Sequence, residues 1–204
     1  MRVFSVGQNR GTLTDQLVPT GGLLRDVLFV IGGALFVALS AQISVPLWFT
    51  PVPITGQTLA VLLVGATGGA GRGSLSLGVY VAGGAVGLPF FSGAGLATYG
   101  YLAGFVVAAA LIGFLADRGW DRTYRRSVLA MLSGNIVIYL LGIPWLSYYL
   151  GLDLMDSLTA GLTPFIPGDV VKLVIAASVL PSAWRLTLRR SAPDRGPGSD
   201  FPPT

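Results

Sequence analysis

The chain's one lysine, Lys172, stands three residues after Asp169 in FIPGDVVKLVIAA, residues 165–177, where every other side chain is apolar or small. Residues three apart share a helix face, so the acid and the lysine can pair. Pro167 and Gly168 just ahead of them place both in the first turns of a helix, where the helix dipole favours an acid. Two readings compete. One is a capping acid beside a lysine that snorkels to an interface. The other is an ion pair facing a cavity, the usual setting for charges in an apolar medium. The isolation of Lys172 from every other cation favours the second, a binding site. A further polar cluster is TPVPITGQT, residues 50–58. Pro51 and Pro53 impose an extended approach, and Thr55, Gln57 and Thr58 then open the next apolar run. Thr55 suits a helix cap. Gln57 carries an amide that needs a partner, and Asn135 in LSGNIVIYLLG raises the same question, with an interhelical hydrogen bond as its plainest answer.

The surroundings of these residues follow from composition. Of the 204 residues, 52% are hydrophobic and 11% charged, whereas a soluble domain carries roughly 25% charged residues. Glu, His and Cys are absent. That removes thiolate nucleophiles, imidazole bases, the usual zinc ligands and any disulfide. The 29 glycines suit close helix packing in lipid. The class is an all-α polytopic membrane protein, with no cofactor implied.

Six apolar runs are expected to span: 26–45, 54–70, 73–88, 97–116, 127–150 and 164–184. A spanning helix needs about 20 residues. The second and third are short and separated only by Gly71 and Arg72, so they read as a hairpin rather than one long helix. All twelve arginines fall before span one, between spans two and three, between four and five, or after six. The opposite loops hold no Lys or Arg. The positive-inside rule therefore predicts six transmembrane helices with both termini cytoplasmic, and it assigns the net charge of +4 to orientation in the cell membrane rather than to nucleic acid. Residues 1–24 read as a cytoplasmic N-terminal tail, 25–186 as the membrane domain and 187–204 as a disordered cytoplasmic C-terminal tail. Outer-loop aromatics, Trp48, Phe49, Phe90 and Phe91, fit either an interfacial belt or the cover of an external pocket. Small-residue spacing, as in Ala34, Ala38 and Ala41 on one face of span one, fits either internal packing or contact with another membrane protein. The run GATGGAGRGS lacks the lysine and the strand context of a phosphate loop.

The stretches PVPITGQTLAVLLVGA, GLPFFSGAG, YGYLAGF and PFIPGDVVKL follow one another in an order and spacing that resembles the BioY family over residues 35–186. BioY proteins are the biotin-binding S components of energy-coupling factor (ECF) transporters. What the resemblance implies is a six-helix bundle, not an enzyme, that captures biotin from outside in a pocket covered by the first outer loop. The family's acid–lysine motif maps onto Asp169 and Lys172, and Gln57, Asn135, Tyr101 and Phe91 are expected to complete the binding set. The resemblance also implies a transmembrane coupling subunit docked on the Ala34, Ala38, Ala41 face, and two cytoplasmic ATPases. The chemistry of the residues is compatible: Asp169 accepts from a ureido N–H, Lys172 donates to a carbonyl or carboxylate, and the amides do either. Two alternatives stay open. One is an S component for riboflavin or thiamine. The other, an intramembrane transferase or hydrolase using Asp169, lacks an acid–base partner.

Overall fold

The computed structural model of the chain describes residues 11–18, 22–89 and 95–190. A short helix α1 (Leu13–Leu17) is followed by the long α2 (Gly22–Gln42), a β-hairpin of β1 (Ser44–Leu47) and β2 (Thr50–Thr55), and α3 (Gln57–Ala85). Then come α4 (Tyr99–Asp117), α5 (Tyr124–Leu150), a short α6 (Leu154–Gly161) and α7 (Ile166–Arg190). Single 3-10 turns precede α4 (Leu96–Thr98) and α5 (Trp120–Arg122). Packing between helices is densest where α3 meets α4, then α4 with α5 and α2 with α3.

Helix α3 is two antiparallel arms. Gly69 interrupts it with φ 77° and ψ 178°, a conformation open essentially to glycine alone. The Gln57 side-chain amide donates to the Tyr80 hydroxyl, 23 residues on. A straight helix would hold those residues roughly 34 Å apart at 1.5 Å per residue. The chain has therefore turned back, as the short paired runs predict, and the glycine-rich GATGGAGRGS is this turn. Its backbone is held from outside: the Ala70 N–H donates to Asp117 Oδ2 at 3.2 Å, and the Thr14 hydroxyl to the Thr67 carbonyl at 2.7 Å.

Among the described residues, four helices are long and apolar enough to cross a membrane: α2, α4 with its leading turn, α5, and α7 as far as Thr187. The arms of α3 are shorter, about 12 and 16 residues or roughly 18 and 24 Å against a hydrocarbon core of about 30 Å, a mismatch that local bilayer thinning or snorkelling flanks can absorb. Exposed apolar side chains band the outside, among them Leu28, Ile31 and Leu35 on α2, Leu132 and Ile136 on α5, and Val171 and Val174 on α7. Inside lie Val37, Val61, Leu62, Leu77, Ile112, Met131, Ile138 and Leu180.

Two expectations change. Residues 46–53 form most of a hairpin rather than a plain loop: Ser44 pairs with Thr55 and Val45 with Ile54, with an irregularity before Leu47. Pro46, Pro51 and Pro53 break any helix there, and a two-stranded ribbon has edges that tolerate them. Within the N-terminal stretch, α1 is docked, with Leu13 buried. Thr12 caps it, accepting from the Asp15 N–H while Asp15 accepts from the Thr12 N–H, the reciprocal capping box. Arg72 in the α3 turn reaches Asp15 at 2.8 Å and Asp26 at 3.1 Å, and Arg25 reaches the same two carboxylates.

Gly69→Ala should lower stability by about 1–3 kcal/mol through backbone strain, and its Cβ would also come within 2.6 Å of Asp117 Oδ1. Gly71→Ala, with open space around it, should leave the thermal midpoint in detergent nearly unchanged. A second expectation concerns α1. Burial opposes ionisation of Asp15, but hydrogen bonds from the Thr12 N–H and hydroxyl and from Arg72 outweigh it and hold the carboxyl below its usual range. A lowered folded pKa stabilises at neutral pH and stops doing so as pH falls past the ordinary carboxylate value, about 3.9. Protection factors of amides 12–18, taken against intrinsic exchange at each pH, should therefore be high at pH 7 and fall as pH drops from about 4 through the lowered pKa of Asp15, and Arg72→Met should reduce them at pH 7.

Candidate functional site

Beneath the β-hairpin the helices stand apart around a cavity of about 210 Å³. Its roof comes from β1, β2 and the end of α2, through Ala41, Gln42, Ser44, Val52, Pro53 and Thr55. Its walls come from the first turns of α4 (Tyr101, Leu102, Phe105), the middle of α5 (Ile138, Tyr139), the start of α3 (Gln57, Thr58), and Phe165, Asp169 and Lys172 at and beyond the start of α7.

Lys172 turns into this space instead of snorkelling. Its Nζ lies 3.2 Å from Asp169 Oδ1 and donates to the Thr58 hydroxyl at 2.9 Å. Thr58 in turn donates to the same carboxylate oxygen at 3.4 Å. The second oxygen, Oδ2, accepts a short hydrogen bond from the Tyr139 hydroxyl. Both charged side chains are largely buried, with 8% exposure for Asp169 and 15% for Lys172. Burying two charges costs several kcal/mol each, and pairing alone does not offset it; added hydrogen bonds of this kind make the arrangement tenable. Three helices thus meet at one carboxylate.

The other residues read from the sequence divide. Gln57 lines the cavity with its amide engaged at both ends, donating to Tyr80 and accepting from the Thr55 hydroxyl at 3.0 Å. Tyr101 also lines it, but its hydroxyl donates to the Gly161 carbonyl at the end of α6 at 2.8 Å, so it offers its ring. Asn135 is buried on α5 one turn before Tyr139 and is not among the residues lining the cavity, and its Oδ1 has no partner among the described residues. Phe91 lies outside the described residues. The docking expectation for span one is corrected: Ala34 and Ala38 are 1% exposed in the core against α3, and Ala41 lines the cavity. That face lets α2 approach α3, and it is not available to a partner.

Tyr139 is the residue that sequence reasoning missed. Its one signal is chemical: a tyrosine in the middle of an apolar run needs a partner for its hydroxyl. The assembled site lines one space with a carboxylate, an ammonium, hydroxyls and an amide, together with Phe105, Leu102, Ile138 and Phe165. Such a surface holds a small molecule with a polar, hydrogen-bonding head and an apolar body.

Comparison with known proteins bears on which family builds such a site. The BioY transporter of Rhizobium etli is 37% identical over 168 residues, covering 75% of this chain and 89% of that protein. The BioY transporter of Rhodobacter capsulatus is 39% identical over 178 residues, covering 76% and 90%. Both carry the name biotin transporter BioY. The fold resembles the crystal structure of the S-component for biotin from an ECF-type ABC transporter, with a TM-score of 0.69 at 24% identity, over 85% of this chain and 95% of that one. The sequence pattern of the BioY family matches residues 9–189, and with that match over most of its length the chain belongs to the BioY family.

Proposed function

We propose that this protein captures biotin at the cell membrane and serves as the substrate-binding S component of an ECF-type uptake system. The observation that carries the reading is the Asp169–Lys172 pair held inside a roofed cavity of small-molecule size. Biotin brings two ureido N–H donors, a strong carbonyl acceptor, an apolar thioether ring and a carboxylate. Asp169 accepts from a ureido N–H, Lys172 donates to the carbonyl or the carboxylate, and the ring rests against Phe105 and Tyr101. Nothing in this requires a reaction, so the ligand leaves as it arrived. The names of the relatives support biotin over other vitamins.

In the membrane we propose six helical crossings, counting the two arms of α3, with both termini cytoplasmic. Support comes from the charge distribution: Arg25, Arg72, Arg118, Arg122, Arg125, Arg126 and Arg185 lie toward the Gly69 end of the bundle, while Lys172 lies toward the hairpin end. A transmembrane coupling subunit and two ATPases complete the proposed assembly. With Ala34 and Ala38 inside, the surface that α2 offers such a subunit is the Leu35, Phe36 and Leu39 side.

Two experiments test this. Trp48, at the hairpin turn and 95% exposed, should label as Trp48→Cys with an impermeant thiol reagent in intact cells. Arg126→Cys should label only after permeabilisation; the reverse pattern would sink the topology. In equilibrium binding of labelled biotin to the purified protein, Asp169→Asn and Lys172→Met should each weaken affinity about ten- to hundredfold, the cost of roughly 1.5–3 kcal/mol for a hydrogen bond to a charged group. The double variant should fold at least as well as either single one, because no lone buried charge remains, and bind no better. Wild-type affinity in a folded double variant would remove the pair from the site.

A further inference from the structure

The geometry points to a third member of the binding apparatus: Tyr139 acts as a positioning and selectivity residue, its hydroxyl fixing the Asp169 carboxylate and occupying one of its acceptor positions. This inference rests on the biotin reading above and deepens it. A carboxylate offers about four lone-pair positions. On Oδ1, Lys172 and Thr58 take two. On Oδ2, Tyr139 takes a third. One acceptor position remains for a ligand. Lys172 has three N–H donors and uses two, on Asp169 and Thr58, so one donor remains within the same cavity. The polar head that fits presents a single N–H next to a single C=O, the edge shared by cyclic ureas and lactams. A head with donors only, such as a cyclic guanidine, leaves the free ammonium proton unmatched.

Tyr139 is not free to swing away from this duty. Its ring meets the Tyr101 ring edge-on, with centroids 6.3 Å apart and planes at 88°. Tyr101 is itself wedged: a Cβ on Gly142 would come within 2.4 Å of its ring, and one on Gly161 within 2.4 Å of its hydroxyl. That hydroxyl is tied to the Gly161 carbonyl. A strut thus runs from the end of α6 through Tyr101 and Tyr139 to Asp169, and it sets the carboxylate's orientation before any ligand enters. Preorganisation of this kind raises affinity by removing an ordering cost from binding.

The test is a double-mutant cycle on the purified full chain, read by equilibrium binding of biotin and of 2-iminobiotin, in which the carbonyl acceptor is replaced by a donor. Tyr139→Phe keeps the ring and should weaken biotin about ten- to hundredfold, as expected for a hydrogen bond to a charged acceptor. The same change in an Asp169→Asn background should cost about threefold or less, since coupled neighbours are non-additive. The preference for biotin over 2-iminobiotin should narrow by about tenfold in Tyr139→Phe, because a freed carboxylate position accepts the extra donor. Equal losses in both backgrounds, or an unchanged preference, would overturn the inference while leaving the biotin reading intact. Should Tyr139→Phe fold poorly, 3,5-difluorotyrosine at position 139 keeps the shape and changes only the hydroxyl's acidity. It should shift affinity with Asp169 present and not with Asn there, and no shift in either overturns the inference. Wild-type protein that fails to bind biotin overturns the underlying reading and this inference with it.

Discussion

Backbone contact through glycine sets the spacing of α3, α4 and α5, and the cavity is what remains where that contact stops. Toward the turn end, a Cβ on Gly65 would come within 3.0 Å of the Ala109 backbone, and one on Gly113 within 2.3 Å of the Gly69 carbonyl carbon. Gly113 admits no side chain without a backbone shift, and at Gly65 one would push the two helices apart by a few tenths of an ångström. In lipid the helices gain little from hiding apolar surface, so van der Waals contact between backbones becomes a main source of association. Along α4 the character then changes. Ala108, Ala109 and Ile112 are fully buried in contact with neighbours, while Tyr101, Leu102 and Phe105, one to two turns before Ala108, line the cavity. Small residues close one end of the bundle and large ones prop open the other.

The two ends also separate the charges. At the turn end, Arg25 and Arg72 share Asp15 and Asp26, a network close enough to water for screening to limit its strength. At the cavity end one pair is nearly dry. Helix α7 connects the two regions, carrying Asp169 and Lys172 near its start and Trp184 near its end, where the indole N–H donates to the buried Asp121. Anchoring at Trp184 holds that end of α7 against the Trp120–Arg122 turn. The cavity end is held through the Asp169–Lys172 pair, by Thr58 and Tyr139.

How much of this was legible before the structure depends on the kind of signal. Charge exclusion and run length gave the long helices, because lipid admits few alternatives. The reversal within α3 was legible from Arg72 and its flanking glycines, since a charge there would not sit in mid-membrane. The Asp169–Lys172 pairing was legible from spacing alone. The hairpin over residues 44–55 was not, because Pro46, Pro51 and Pro53 signal an extended chain without saying what it pairs with. The alanine face of α2 misled for a different reason: small residues mark close approach, and nothing in one sequence says whether the approaching helix is internal or foreign. Tyr139 stayed hidden because a tyrosine in a span satisfies an aromatic pattern whatever its hydroxyl does.

A buried charge pair suits this cavity for a reason other than stability. A lone carboxylate or a lone ammonium buried in this cavity would carry a desolvation cost of several kcal/mol. Placed 3.2 Å apart, each offsets part of the other's cost, and Thr58 and Tyr139 satisfy most of what remains. The cavity then holds a strong acceptor and a strong donor side by side while its net charge stays zero. A ligand that is neutral at its head inserts without adding charge to a low-dielectric space, and it gains charge-assisted hydrogen bonds that water would only partly match. An ion pair is a poor device for stability alone; as a neutral yet strongly polar surface in lipid, it is an effective device for recognition.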